Sequence, residues 1–230
     1  MKQIIHLLLI GLALLLCVTA NGLAQTAPAP LDPGTAPSLD DIMDRVENRY
    51  SGPGFSVHFF QISTLKAMNV SDYAGGKMLV KRPGKMRWDY ETPTPQLIIA
   101  DNKDLWIYRP EDNQVSHGAA PQFFSGGNGA GFLADMASIR KDFNVSLESS
   151  DQSDSFRIKL IPKTSSYEVT AIYLTVSAVT FEINVLSTLN AYGDETRFEL
   201  SGYRFDPVLD SELFQFKIPE GAEVLTLDNN

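Results

Sequence analysis

The feature that most constrains the fold is a succession of short segments with alternating apolar side chains, separated by turn residues, from Phe55 to near the C-terminus. Alternation with a period of two is typical of β-strands, and many short strands between turns favour an antiparallel sheet or barrel. We therefore expect a mainly β protein of the α+β class. The predicted strands are residues 55–64, 74–82, 86–91, 96–101, 104–109, 113–117, 143–149, 154–161, 169–177, 180–187, 195–206 and 213–218.

Two segments have helical spacing instead. Ser38 is a candidate N-cap, and the apolar residues after it recur at the three-four spacing of an amphipathic helix. A second, shorter stripe follows the glycine-rich segment near residue 127. A strongly curved sheet whose open mouth is closed by both helices would bury both stripes. The stripes are Leu39, Ile42, Met43 and Val46 in the first, and Phe132, Leu133, Met136 and Ile139 in the second.

The N-terminal region has the pattern of an export signal. Lys2 precedes an apolar run shorter than the roughly 20 residues of a membrane span, and a small-x-small site ends at Ala24. We interpret residues 1–24 as a signal peptide, 25–37 as a Pro/Ala-rich flexible lead-in and 38–230 as a single domain. Cys17 lies inside the apolar run, where a lipoprotein signal would also place its cysteine, but Leu16 stands where lipidation favours a small residue.

The net charge limits the partners. The chain has 19 basic and 28 acidic residues, a formal charge of −9, and loss of Lys2 with the signal gives −10. Nucleic acid and anionic membrane surfaces require an excess of Lys and Arg. This charge fits a freely diffusing protein, and we expect a monomer outside the cytoplasm that binds no nucleic acid.

No catalytic or metal-ligating pattern is present. His58 and His117 are lone histidines without a metal-ligand spacing, and no nucleophile elbow, P-loop or dinucleotide-binding motif occurs. We predict no cofactor, no metal and no enzymatic activity.

Large apolar side chains on strands are abundant, and an interior that they only partly fill can bind an apolar ligand. Each could equally be ordinary core. By alternation, the Arg82 side chain lies on the same, apolar side of its strand as Met78 and Val80, where a charged group would need hydrogen-bond partners. The alternative is an exposed arginine at the end of the strand, before a turn. The cavity candidates are Phe59, Met78, Val80, Met86, Trp88, Tyr90, Trp106 and Tyr108.

The segment VKRPGKMRWDYETPTPQLIIADNKDLWIYRPEDNQV, which begins at Val80, resembles the central signature of the LolA family of periplasmic lipoprotein carriers. LIPK at 160–163, GDETRFELSGY from Gly193 and FQFKIPEGAEVL from Phe214 resemble the last strands of that family. The family implies an unclosed, strongly curved antiparallel β-barrel with short helices forming a lid over a hydrophobic cavity. Met86 departs from the family pattern, which often has Phe there.

The resemblance also implies a function. The cavity would accept acylated lipoproteins from an ATP-driven inner-membrane releasing complex and deliver them to an outer-membrane acceptor, without covalent chemistry. Arg82 would be the lid latch that binds backbone carbonyls near residues 132–138. Two related alternatives stay open: an outer-membrane-anchored acceptor of the LolB type if Cys17 is lipidated, and a lipid-sensing module of the RseB type. The sequence leaves open which lipoproteins are carried.

Overall fold

The computed structural model describes residues 37–120, 131–149, 153–165, 167–205 and 208–227. All of them belong to one compact unit, Asp32–Asn230. The predicted signal peptide, the lead-in up to residue 36, Cys17 and the glycine-rich segment around residue 127 lie outside the described residues.

The predicted first helix is present as α1 (Leu39–Arg49), and its start follows from local hydrogen bonding. The Ser38 hydroxyl accepts from the Asp41 backbone N–H, and the Asp41 carboxylate accepts from the Ser38 backbone N–H in return. The apolar stripe of α1 is buried at Ile42, Met43 and Val46. The helix therefore packs by the face that its sequence spacing defines.

The strands of the described residues are β1 (Gly54–Leu65), β2 (Val70–Lys81), β3 (Lys85–Thr92), β4 (Gln96–Ala100), β5 (Asp104–Arg109), β6 (Gln114–Ala119), β7 (Phe143–Glu148), β8 (Ser155–Pro162), β9 (Ala171–Ser177), β10 (Ile183–Leu189), β11 (Glu195–Phe205) and β12 (Glu223–Thr226). They form one twelve-stranded sheet in the order β12-β6-β5-β4-β3-β2-β1-β11-β10-β9-β8-β7. Neighbours are antiparallel except β12 and β6, which are parallel, and the edge strands β7 and β12 are not paired with each other, so the barrel is unclosed.

The main core lies on one face of this sheet. We call the face that carries Phe59, Met78 and Trp88 the inner face, and the opposite one the outer face. Cross-strand partners point to the same side, and the register pairs Met78 with Trp88 and Trp88 with Ile98. One hydrophobic cluster joins the inner face of β1–β5 to that of β8–β11, to α1 and to the segment after residue 131. The predicted mainly β, curved and unclosed fold is confirmed.

The second helical stripe is divided in two, which corrects the prediction of one short helix. Residues 131–134 form a 3₁₀ turn, and α2 (Ser138–Asp142) follows. The Ser138 hydroxyl donates to the Asp135 carbonyl at 2.8 Å, in the bend between them. Because the bend replaces the middle of the predicted helix, the backbone turns while the apolar stripe stays buried.

The prediction of a last strand at 213–218 is wrong. A 3₁₀ turn occupies Ser211–Phe214, and the chain then runs unpaired until β12, which the sequence did not indicate. The alternating apolar residues of this segment dock onto the outer face instead of pairing with a strand, because Phe214 is buried and Phe216 stacks on Trp106.

Candidate functional site

The candidate site is the apolar interior between the inner face and the lid segment, which we define as residues 131–142. The lid segment buries all four of its predicted apolar residues: Phe132, Leu133, Met136 and Ile139. These side chains join the same cluster as the stripe of α1. The interior in this structure is therefore lined by side chains of the lid segment and α1 as well as by those of the sheet.

Six of the eight cavity candidates come together on the inner face. The β1–β2 and β2–β3 registers align them in neighbouring rows, because Val80 pairs with Met86 and Gly76 lies between Phe59 and Tyr90. The six residues are Phe59, Met78, Val80, Met86, Trp88 and Tyr90, of which Tyr90 is half-buried and the rest are buried.

The structure corrects the placement of Trp106 and Tyr108. The register pairs them with Ile99 and Leu97, which in turn pair with Arg87 and Asp89, so both rings are on the outer face. Trp106 stacks on His117 at 3.9 Å between centroids and on Phe216 at 5.3 Å. They are thus part of the outer-face packing under the C-terminal segment, and the interior is on the other side of the sheet.

Arg82 joins three parts of the chain at the edge of the interior. Its backbone N–H donates to the Pro53 carbonyl, and its guanidinium donates to the Gly52 carbonyl at 2.8 Å and to the Leu133 carbonyl at 3.2 Å. The guanidinium also lies 5.9 Å from the centroid of the Phe55 ring. A permanently charged group with five N–H donors suits this use, since carbonyls at helix ends lack intrahelical partners.

The turn after β2 presents Arg82 in this position. Lys81 and Lys85 are the last register pair of the β2–β3 hairpin, and Gly84 in the connecting turn has φ +63°. Glycine adopts that conformation without the steric cost that a side chain would impose. The Arg-Pro-Gly sequence therefore reverses the chain directly after the arginine.

A second arginine, which was not among the residues predicted from the sequence, attaches the lid segment to α1. Arg140 of α2 forms a hydrogen-bonded ion pair with Asp44, and its Nε lies 2.8 Å from Glu47 Oε1, close enough for an ion pair although not aligned for a hydrogen bond. Asp40 adds a weaker contact at 3.8 Å. The acidic spacing 40, 44, 47 is a helical stripe, a signal that could have indicated this site.

Two tyrosines around the interior, the half-buried Tyr90 and the buried Tyr50, have hydrogen-bonded hydroxyl groups. The Tyr90 hydroxyl donates to Gln61 Oε1 at 2.8 Å, and burial raises the pKa of Tyr90 to about 12. At the far end of α1, the Tyr50 hydroxyl accepts from the buried Ile183 N–H at 3.0 Å, and burial raises the pKa of Tyr50. Both groups therefore stay neutral at physiological pH.

The second half of the chain supplies interior residues that the sequence analysis did not select. Phe198 and Leu200 of β11 are buried, and the Phe198 ring lies 5.3 Å from that of Trp88. Their shared parity in RFELSGY was an available signal.

Within the described ranges, no group of three or more His, Cys, Asp or Glu residues is placed to hold a metal ion. In the same part of the chain, no helix is both long and apolar enough to cross a membrane.

The fold and the site together define a class: half-open β-barrels whose apolar interior lies under a helical lid. The family model described as outer membrane lipoprotein carrier protein LolA matches residues 52–217. The chain belongs to the LolA family, as the sequence predicted.

Similar proteins agree with this assignment. The outer-membrane lipoprotein carrier protein of Nitrosomonas europaea is 30% identical over 200 residues, which cover 86% of this chain and 92% of the relative. The protein of the same name from Nitrosospira multiformis is 32% identical over 170 residues, 73% of this chain and 80% of the relative. The solved structure of an uncharacterized conserved protein from Thermus thermophilus has the same fold, with a TM-score of 0.53 at 12% identity, covering 82% of this chain and 98% of that protein.

Proposed function

We propose that this protein carries acylated lipoproteins through the periplasm, with their acyl chains between the inner face and the lid segment. The observation that carries the proposal is the Arg82 bond to the Leu133 carbonyl, which holds an apolar lid over an apolar sheet face. The names of the similar proteins supply the cargo class.

The physical need for such a carrier follows from the hydrophobic effect. Each methylene group exposed to water costs about 0.8 kcal/mol, so a chain of a dozen or more carbons does not leave a membrane for water at a useful rate. The inner face offers the acyl chain a second apolar environment. No covalent step is required of the carrier, and we infer that it performs none.

The lid residues give the site a way to bind reversibly. We infer that the buried lid residues Leu133, Met136 and Ile139 move outward when acyl chains enter, which breaks the Arg82–Leu133 bond and strains the Arg140 ion pairs. The free energy of these contacts lowers the apparent affinity for cargo. A carrier with reduced affinity can release its cargo to an acceptor that binds it more tightly.

The remaining parts of the proposal concern the route. An N-terminal signal at residues 1–24 would export the chain, an ATP-driven complex of the inner membrane would load it, and an outer-membrane acceptor would unload it. The names of the relatives favour a carrier over a membrane-anchored acceptor or a sensor module.

The test is lipoprotein release from spheroplasts of the source organism. The exported chain, purified from its periplasm, is added to spheroplasts with radiolabelled lipoproteins, and the supernatant is analysed by gel filtration. We expect a one-to-one complex of the protein with lipoprotein, dependent on ATP in the spheroplasts. The absence of lipoprotein in the supernatant, while a known carrier releases it from the same spheroplasts, would contradict the proposal.

A further inference from the structure

We propose that the indole N–H of Trp88 donates a hydrogen bond to a carbonyl oxygen of the bound acyl group, and so selects acyl esters and amides over plain hydrocarbon. This inference rests on the proposed function, because it names a subsite within the same interior. It assigns to Trp88 a polar role in a site that is otherwise apolar.

The first observation is an unpaired buried donor. Trp88 is 2% exposed, and its Nε1 atom has no hydrogen-bond partner. Among the described residues only one other buried side-chain atom shares this condition, Glu47 Oε1, and that carboxylate is in an ion pair with Arg140. Folded proteins nearly always pair buried polar groups, and an exception calls for an explanation.

Among the described residues, the aromatic neighbours of Trp88 offer its indole N–H no free acceptor. Its ring lies among three aromatic rings of the inner face: Phe59 at 5.0 Å, Phe198 at 5.3 Å and Tyr90 at 6.3 Å between centroids. Tyr90 is the only one of these with a polar atom, and its hydroxyl is bonded to Gln61. The indole N–H is thus a single donor within an apolar, aromatic environment.

The strands on either side of β3 also place apolar side chains next to Trp88. The register partners of Trp88 are Met78 on β2 and Ile98 on β4, and both are apolar. A donor left unpaired in such an environment destabilises the empty closed form, because it has lost its hydrogen bond to water without replacement. A ligand that brings an acceptor to this position restores the bond.

An acyl chain has its acceptors at one place only. The hydrocarbon tail has none, and the ester or amide carbonyl oxygen at its head is a good acceptor. A carbonyl oxygen at hydrogen-bond distance from Trp88 Nε1 would place the head of the chain beside the Phe59, Tyr90 and Phe198 rings and direct the tail along the inner face. The bond would therefore fix the position of the chain as well as its class.

A buried hydrogen-bond donor distinguishes between ligands more strongly than the size of an apolar pocket does. A site with a buried unpaired donor prefers a ligand that brings an acceptor, because that ligand gains a hydrogen bond and a ligand without the acceptor leaves the donor unpaired. A net hydrogen-bond contribution near the upper part of its usual range corresponds to about a tenfold difference in affinity. We expect this ratio between an ester and the matching ether.

The test uses two probes that differ only in the carbonyl group, 1-lauroylglycerol and 1-O-dodecylglycerol, titrated by calorimetry into the wild-type protein, Trp88→Phe and Trp106→Phe. The wild type should bind the ester about ten times more tightly than the ether. Trp88→Phe should bind both with nearly equal affinity, at the level of the ether in the wild type. Trp106→Phe is the matched control on the outer face and should keep the tenfold ratio.

A second measurement does not depend on the folding of the Trp88 variant. In ¹⁵N-labelled Trp106→Phe the remaining indole signal belongs to Trp88, and its proton resonance should move downfield with the ester and not with the ether. Equal binding of ester and ether by the wild type, an ester preference retained in Trp88→Phe, or an unchanged indole proton would each overturn the Trp88 inference alone. If the wild type bound neither probe nor any longer-chain lipid, the proposed function would fail with it.

Discussion

Arg82→Leu isolates the contact that holds the lid segment. The substitution removes the hydrogen bonds to the Gly52 and Leu133 carbonyls and keeps an apolar side chain next to Phe55. Of these two bonds, the one to Leu133 joins the barrel to the start of the lid segment, whose other end is held by the bonds that Lys163 donates to the Arg140 and Lys141 carbonyls. Loss of the Leu133 bond should favour the open form without unfolding the sheet.

The size of the effect follows from the geometry. A hydrogen bond to a charged group contributes about 1.5–3 kcal/mol net, and the 3.2 Å distance to Leu133 is at the long end of the usual range. A value of about 1.5 kcal/mol changes the open-to-closed ratio roughly tenfold. Since the apparent affinity is proportional to the open fraction while that fraction is small, cargo should bind about tenfold more tightly.

The assay measures affinity and delivery together. The dissociation constant for a fluorescent acyl probe should fall about tenfold, and transfer of loaded lipoprotein to outer-membrane vesicles should slow by a similar factor. Arg82→Lys, which keeps the charge but loses the planar fork, should be intermediate.

Arg87→Leu is the matched control. Arg87 also donates to a backbone carbonyl, that of Leu213 at 3.0 Å, but on the outer face. Arg87→Leu should leave the dissociation constant for the acyl probe and the rate of lipoprotein transfer unchanged. An Arg82→Leu protein that is folded and yet binds and delivers like the wild type would refute the latch.

Three further predictions concern the lid segment, the end of α1 and the turn after β2. Arg140→Gln should raise acyl-probe affinity by less than about fivefold, because its ion pairs are partly exposed, and 1 M salt should reproduce this gain in the wild type but not in the variant. Tyr50→Phe should lower the free energy of unfolding in urea by about 1–3 kcal/mol, since the buried Ile183 N–H loses its acceptor. Gly84→Ala should cost roughly 1–2 kcal/mol in the same assay, because alanine resists a φ of +63°.

Each of these has an outcome that would count against it. A salt-insensitive wild type would exclude an electrostatic hold on the lid segment. Tyr73→Phe, at an exposed hydroxyl, should leave stability unchanged, and a loss equal to that of Tyr50→Phe would show a general effect of hydroxyl removal. An unchanged Gly84→Ala protein would mean that the turn relaxes to another conformation.

The sequence predicted local structure well where one physical rule dominates. The Ser38 cap and the three-four spacing after it defined α1, and alternation located eleven of the strands within a few residues. Arg82 was placed on the inner side by parity, and its contact with the lid segment follows the resemblance to the family.

The predictions for Trp106 and Tyr108 are wrong because the sheet carries apolar residues on both faces. In QLIIA of β4, Ile98 faces the main core and Ile99 is buried on the outer face, so alternation cannot tell which side is inner. The outer face is covered by the segment that contains Phe214, whose docking depends on contacts more than a hundred residues apart, such as the Arg87 bond to Leu213. The register places Trp106 and Tyr108 on the outer face, and the covering segment explains why such large apolar rings are found there, which no local rule anticipates.

The lid segment contributes buried apolar side chains to the interior that the proposed cargo would use. Leu133, Met136 and Ile139 are buried in the same hydrophobic cluster as the inner face, so we expect an acyl chain that enters this cluster to displace protein side chains. The affinity for cargo is then the difference between two apolar burials, each worth about 0.8 kcal/mol per methylene. Binding and release are nearly balanced for that reason, and small polar contacts at Arg82, Arg140 and Trp88 suffice to decide their direction.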